Sequence, residues 1–122
     1  MENRYEKGVN KLKEVDGKGG TEVIESLKDI APDLGKYIIE FAFGDIYTRP
    51  TFDLKQRELV TLSSLTTLGG CENQLKVHIR GALNVGISEK EIIEVFIQCI
   101  PYVGFPRVLN AVSVAKEIFL NN

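Results

Sequence analysis

The sequence predicts an all-α protein of six to seven helices. Three observations carry that expectation. Apolar residues recur every three or four positions through most of the chain. Glycine, proline and capping residues punctuate those runs. No segment alternates cleanly with the period-two pattern of a half-buried strand. With 122 residues the chain is long enough for one domain with a real core.

The first helix is expected over residues 2–15, with Tyr5, Val9 and Leu12 at helical spacing, and Gly17, Gly19 and Gly20 stop it. Thr21 is placed to cap a short second helix, whose Val23, Ile24 and Leu27 share a face. Glu22 and Glu25 fall in its first turn, where acids suit the positive end of the helix dipole. Pro32 fits the first position of a third helix, with Leu34, Ile38, Phe41 and Ala42 as its apolar stripe. The segment Gly44 to Thr51, GDIYTRPT, reads as the longest break between helices. It carries Asp45, Tyr47 and Arg49, more chemistry than a passive turn needs.

Asp53 then caps a helix of about four turns, with Gln56 at the reciprocal capping-box position. Leu54, Leu62, Leu65 and Leu68 are its inward candidates, and Gly69 and Gly70 end it. The next helix starts close to Cys71 and stops at Gly86, where a left-handed residue is wanted. Ser88 and Glu91 form a capping box, and Ile87 with Ile92 a hydrophobic staple. Ile92, Val95, Phe96 and Cys99 give that helix its core stripe, and Pro101 and Gly104 break it. Pro106 starts the last helix, with Leu109, Val112, Ala115 and Phe119 at core spacing. Many of these helices are apolar over more than one face, which predicts buried contacts between subunits.

Composition narrows the function classes. Hydrophobic residues make up 43% and charged residues 26%, an ordinary globular balance. A formal net charge of -2, with no basic block and no zinc-finger spacing, argues against a nucleic-acid partner. No apolar run approaches the roughly 18–20 residues of a membrane span. The charged N-terminal stretch is unlike a signal peptide, and two cysteines do not make a secreted disulfide framework. A cytoplasmic protein with reduced thiols is the expectation.

The chemistry concentrates between Asp53 and Gly86, in DLKQRELVTLSSLTTLGGCENQLKVHIRGALNVG. His78 is the only histidine of the chain, and it shares a helix face with Cys71, Leu75, Ala82 and Val85. Asn73, Lys76, Arg80 and Asn84 take the opposite face. An inward histidine can donate or accept a proton near neutrality, or can be a satisfied core residue. Cys71 stands at a helix N-terminus, where the dipole favours a thiolate, although a small buried hydrophobe would look the same. Glu58 lies one turn past Leu54 and one before Leu62, so its carboxyl must be paired or protonated. It can orient His78, or it can form an ion pair with Arg57 or Arg80.

At these residues the chain resembles the carboxymuconolactone decarboxylase family, related to the alkylhydroperoxidase D-like proteins. The resemblance runs from about Ile30 to Phe119, through DIAPDLGKYIIEFAFGDIYTRP, the stretch quoted above, and VGFPRVLNAVSVAKEIF. It implies a single domain over 1–122 with an N-terminal helical extension of about 28 residues. The implied fold is the alkylhydroperoxidase D-like helical unit, assembled into homo-oligomers, commonly trimers or hexamers. The implied reaction uses no cofactor and no metal: a carboxylated butenolide loses CO2 and becomes an enol-lactone. His78 would give the proton, with Glu58 and Cys71 as the other catalytic candidates. Arg49, Arg57, Arg80, Gln74 and Tyr47 would bind the carboxylated small-molecule substrate.

The redox branch of the superfamily uses a glutamate, a Cys-x-x-Cys pair and a histidine four residues after the second cysteine. Glu58, Cys71 and His78 match three of these positions, but Gln74 stands at the fourth. A thiol-dependent peroxidase needs a resolving thiol that glutamine cannot supply. That activity is therefore the disfavoured alternative, and a non-catalytic helical oligomer is the third.

Overall fold

The computed structural model describes residues 2–121. They form six α-helices and one π-helix, with no strand among the described residues. The chain divides into two compact units, Met1–Leu54 and Lys55–Asn122. No helix among the described residues is long and apolar enough to cross a membrane.

In the first unit, α1 spans Arg4–Leu27, α2 spans Pro32–Tyr37, and the π-helix spans Ile38–Ile46. Asn3 caps α1, its side-chain oxygen accepting from the Glu6 backbone N–H at 2.8 Å. The expected break is a kink rather than a gap. Gly17 alone leaves helical geometry, at φ 54 and ψ −132, and the helix resumes behind it. Thr21 therefore caps nothing; it lies inside the resumed helix, and its hydroxyl donates to the Gly17 carbonyl at 3.5 Å. One glycine, possessing the freedom that a side chain would lack, was enough to bend the axis.

Helix α1 packs on the π-helix through Gly8. A Cβ there would sit 2.0 Å from the Ile39 carbonyl oxygen, so only glycine lets the two backbones approach. Arg4 grips Asp45 with two nitrogens, Nε at 3.0 Å from Oδ1 and Nη2 at 2.6 Å from Oδ2. That hydrogen-bonded pair holds the Asp45 carboxyl below its usual range and raises the Arg4 guanidinium.

Pro32 opens α2 as expected. The stripe expected beyond it is corrected by the winding. Ile39 and Phe43 are buried, whereas Leu34 and Phe41 are exposed. Wider π turns, visible in the Tyr47 N–H donating to the Ala42 carbonyl at 2.9 Å, carry the chain out of the 3.6-residue register assumed for the stripe. The same winding absorbs Gly44, Asp45 and Ile46, so the break between helices starts only at Tyr47.

The second unit holds α3 (Leu54–Leu68), α4 (Glu72–Asn84), α5 (Glu89–Val103) and α6 (Phe105–Leu120). Its core gathers Leu62, Leu75, Ile79, Ile92, Phe96 and Ile118, all buried. Gly69, Gly70, Gly86 and Gly104 all have positive φ and separate the helices. At Gly69 the strain would be compounded, because a Cβ would lie 2.6 Å from Arg107 Nε.

Three expectations are corrected in this unit. Leu68, at the last position of α3, is exposed. Pro101 does not break α5 but sits inside it, and the helix ends at Gly104, φ 93. The buried face of α6 is Val108, Ala111, Val114, Ala115 and Ile118, leaving Leu109 exposed. Of the expected stripe, Ala115 is in the core and Val112 and Phe119 pack against it, so only Leu109 is misplaced.

The Ser88–Glu91 capping box is present in both directions. The Glu91 N–H donates to Ser88 Oγ at 3.0 Å, and the Ser88 N–H donates to Glu91 Oε1 at 2.9 Å. The bond from the Ser88 backbone holds the Glu91 carboxyl below its usual range. A depressed folded value means that this contribution is present above the unfolded carboxyl range and is lost as pH falls through the folded one. Ser88→Ala should cost about 1 kcal/mol in urea denaturation at neutral pH. Most of that gap should persist on acidification, because alanine keeps the backbone N–H that bonds Glu91. The deficit of Glu91→Ala is the one that should narrow, as the wild-type carboxyl takes up its proton.

Candidate active site

Helices α3 and α4, joined by the Gly69–Gly70 turn, build the site in the second unit. Glu58 sits on the same face of α3 as Leu62, and both side chains are 0% exposed. Its placement follows from the four-residue spacing, which stacks the two side chains on successive turns. A fully buried carboxyl needs a partner. The chain supplies one from α4: His78 Nδ1 lies 3.1 Å from Glu58 Oε2 and 3.4 Å from Oε1.

His78 is held at the edge of the buried stripe of α4. Leu75, Ile79 and Ala82 form the centre of that stripe, and the imidazole beside them keeps 18% of its side-chain surface open. Ile79 was absent from the face read in the sequence; it is fully buried, and His78 sits at the margin of the stripe it centres. With Nδ1 directed at the glutamate, the natural assignment puts the Nδ1 proton in that contact and leaves Nε2 for a ligand. Such a ring can exchange one proton through Nε2 while the carboxylate compensates the charge of its doubly protonated form.

Cys71 is the N-cap of α4 and is partly exposed, with its thiol 3.4 Å from the Gly69 carbonyl. It shares the His78 face, but seven residues of helix put it roughly 10 Å further along the axis. Both cysteines are free, and Cys99 is buried in the core of the second unit.

The remaining candidates scatter. Gln74 is exposed one turn before His78 on the same side of α4. Arg57 is partly buried on α3 next to Glu58. Arg80 is exposed, and two residues from His78 place it about 200° round the helix, away from the Glu58 contact. Tyr47 and Arg49 belong to the first unit, where the Tyr47 ring stacks on Phe43 with centroids 4.6 Å apart. Among the eight residues singled out by sequence, Glu58 and His78 meet in a defined contact.

Arg107 was not anticipated. Its side chain lies over Gly69, and only the glycine pair in the turn hints from sequence that something must pass close there.

Comparison with known proteins follows the same segments. The model of the carboxymuconolactone decarboxylase family matches residues 32–117. The chain is 34% identical over 119 residues to the 4-carboxymuconolactone decarboxylase of Acinetobacter baylyi, covering 97% of this chain and 88% of that protein. It is 32% identical over 117 residues to a nitrosuccinic acid decarboxylase of Metarhizium robertsii, covering 93% and 79%.

Proposed function

Because the chain belongs to the carboxymuconolactone decarboxylase family, we propose that it is a carboxy-lyase that needs no cofactor. The substrate we assign is a small carboxylated lactone, 4-carboxymuconolactone going to 3-oxoadipate enol-lactone, or a related activated acid. The observation that carries the reading is the buried Glu58 held 3.1 Å from the partly exposed His78 ring.

The chemistry asks little of the protein. The bond to the departing carboxylate breaks as CO2 leaves, and its electron pair moves through the ring double bond into the lactone carbonyl. The resulting dienolate takes a proton on carbon, so one proton replaces one CO2. His78 supplies that proton through Nε2, and Glu58 keeps the ring oriented. The nitrosuccinic acid for which the Metarhizium relative is named carries a nitro group, which can accept the same electron pair. An electron sink near the departing carboxylate is therefore what the two named relatives' substrates share. Arginine among Arg49, Arg57 and Arg80 would hold a carboxylate that the substrate retains. The active species is proposed to be a homo-oligomer.

The relatives lend no support to the thiol peroxidase alternative, and Gln74 removes its resolving thiol.

The test is loss of the lactone's ultraviolet absorbance with wild type and with Glu58→Gln. Wild type should turn the lactone over. The glutamine keeps the shape but loses the charge, and kcat should fall by about 10²-fold or more, because an amide holds the ring in the wrong tautomer. Wild type without turnover removes this substrate. A glutamine variant with wild-type kcat removes Glu58 as the orienting group.

A further inference from the structure

The bend at Gly17 encloses a cleft within the first unit. Tyr5 and Lys28, near the two ends of α1, would stand about 35 Å apart on a straight helix. Both line the same cleft, so the two arms of α1 fold back on each other. Gly20 lies where the returning arm meets the first: a Cβ there would sit 2.7 Å from Leu12 Cδ1. The cleft between the arms has a volume of about 150 Å³, and none of its residues belongs to the site built on Glu58 and His78.

Its chemistry is divided. Leu12 and Ile39, both buried, and the partly buried Val9 and Ile24 make an aliphatic floor. The exposed rim carries Tyr5, Lys13, Glu25 and Lys28. Lys28 is committed, its Nζ donating to Glu25 Oε1 at 2.7 Å. Neither Lys13 nor the Tyr5 hydroxyl makes a side-chain hydrogen bond or ion pair among the described residues. The rim therefore holds one positive charge in excess, together with a second donor that has nothing to bond.

We propose that this cleft binds a small monocarboxylate, an acid whose apolar body is about the size of one ring. A space of roughly 150 Å³ with aliphatic walls takes a benzene-sized body. The carboxylate stays at the rim, on the Lys13 ammonium with the Tyr5 hydroxyl as its second donor, while the apolar body leaves water for the floor. An amine would face the one cation that lacks a partner. A dicarboxylate would have to put its second charge against the aliphatic floor, where nothing compensates it. Charge and volume thus select one class of ligand, different from the di-acid proposed for the Glu58–His78 site.

The probe is benzoate, titrated into the isotope-labelled full chain at fixed pH and ionic strength and followed by proton–nitrogen correlation spectra. Wild type should show saturable shifts at the amides of Val9, Leu12, Ile24 and Ile39, with a dissociation constant on the order of 1 mM. Benzyl alcohol, the same ring without the charge, should bind at least about 3-fold more weakly, the worth of an ion pair near a protein surface. Lys13→Gln should weaken benzoate by a similar factor and leave benzyl alcohol unchanged, and Lys28→Gln should cost less than Lys13→Gln. Both lysines are exposed, so neither variant threatens the fold. Val9→Trp, which fills the cleft, should abolish binding of both probes, and the lysine variants test the site even if that protein folds poorly. The proposal is overturned by a wild type without saturable shifts, by shifts confined to α3 and α4, or by unchanged benzoate affinity in Lys13→Gln.

Discussion

His78→Ala should lower kcat for the carboxylated lactone by about 10²- to 10⁴-fold, the range over which a positioned proton donor acts. KM should change little, because the proton moves only in the transition state and the imidazole adds little to ground-state binding. The fold should survive, since the ring keeps 18% of its side-chain surface open and the core stripe of α4 runs through Leu75, Ile79 and Ala82. Added imidazole should restore part of the lost rate by entering the space vacated beside Glu58. A purely structural histidine would show no such rescue. Cys71→Ser is the matched comparison. Its thiol lies roughly two helical turns from the ring, so serine should retain most of the activity. The reverse ranking, with the serine variant dead and the alanine variant active, would overturn the proton-donor role and make the thiol the reacting group.

The second large effect is on stability. Phe96→Ala should destabilise the chain by about 3–5 kcal/mol, from lost transfer free energy and from the cavity left behind. Phe96 is 0% exposed in the core of the second unit, with Leu62, Ile79 and Ile92 equally buried. That loss is a large share of the roughly 5–15 kcal/mol that holds a domain together. At fixed protein concentration the melting temperature should drop by about 10–20 °C. Calorimetry on both proteins decides it. A loss below about 1 kcal/mol would mean that the four helices close over the vacancy, and that the core is far more pliable than its burial indicates.

How far the sequence reached differs from element to element. The Ser88 capping box, the Pro32 start, the Gly69–Gly70 stop and the Cys71 start of α4 were all legible, because each is a local signal acting within one turn of backbone. The stripe behind Pro32 and the outward turn of Leu109 on α6 were not. Leu34 and Leu109 satisfied helical spacing as well as the residues that are buried, and a helix apolar on two faces does not announce which one its own chain will cover. The π-helix was invisible for a related reason. The π-helix packs on α1 at Gly8 and through the Arg4–Asp45 pair, contacts between residues some thirty to forty positions apart.

The site divides along the same line. By itself the sequence determined that one histidine, one thiol and one acid would crowd a single helical hairpin, and that Gln74 would stand where a second thiol belongs. Only the tertiary structure decided that the acid is fully buried and that its partner is His78. Spacing along a helix sets which face a side chain occupies. The distance between two helices is set by the side chains packed between them, and no single segment carries that information.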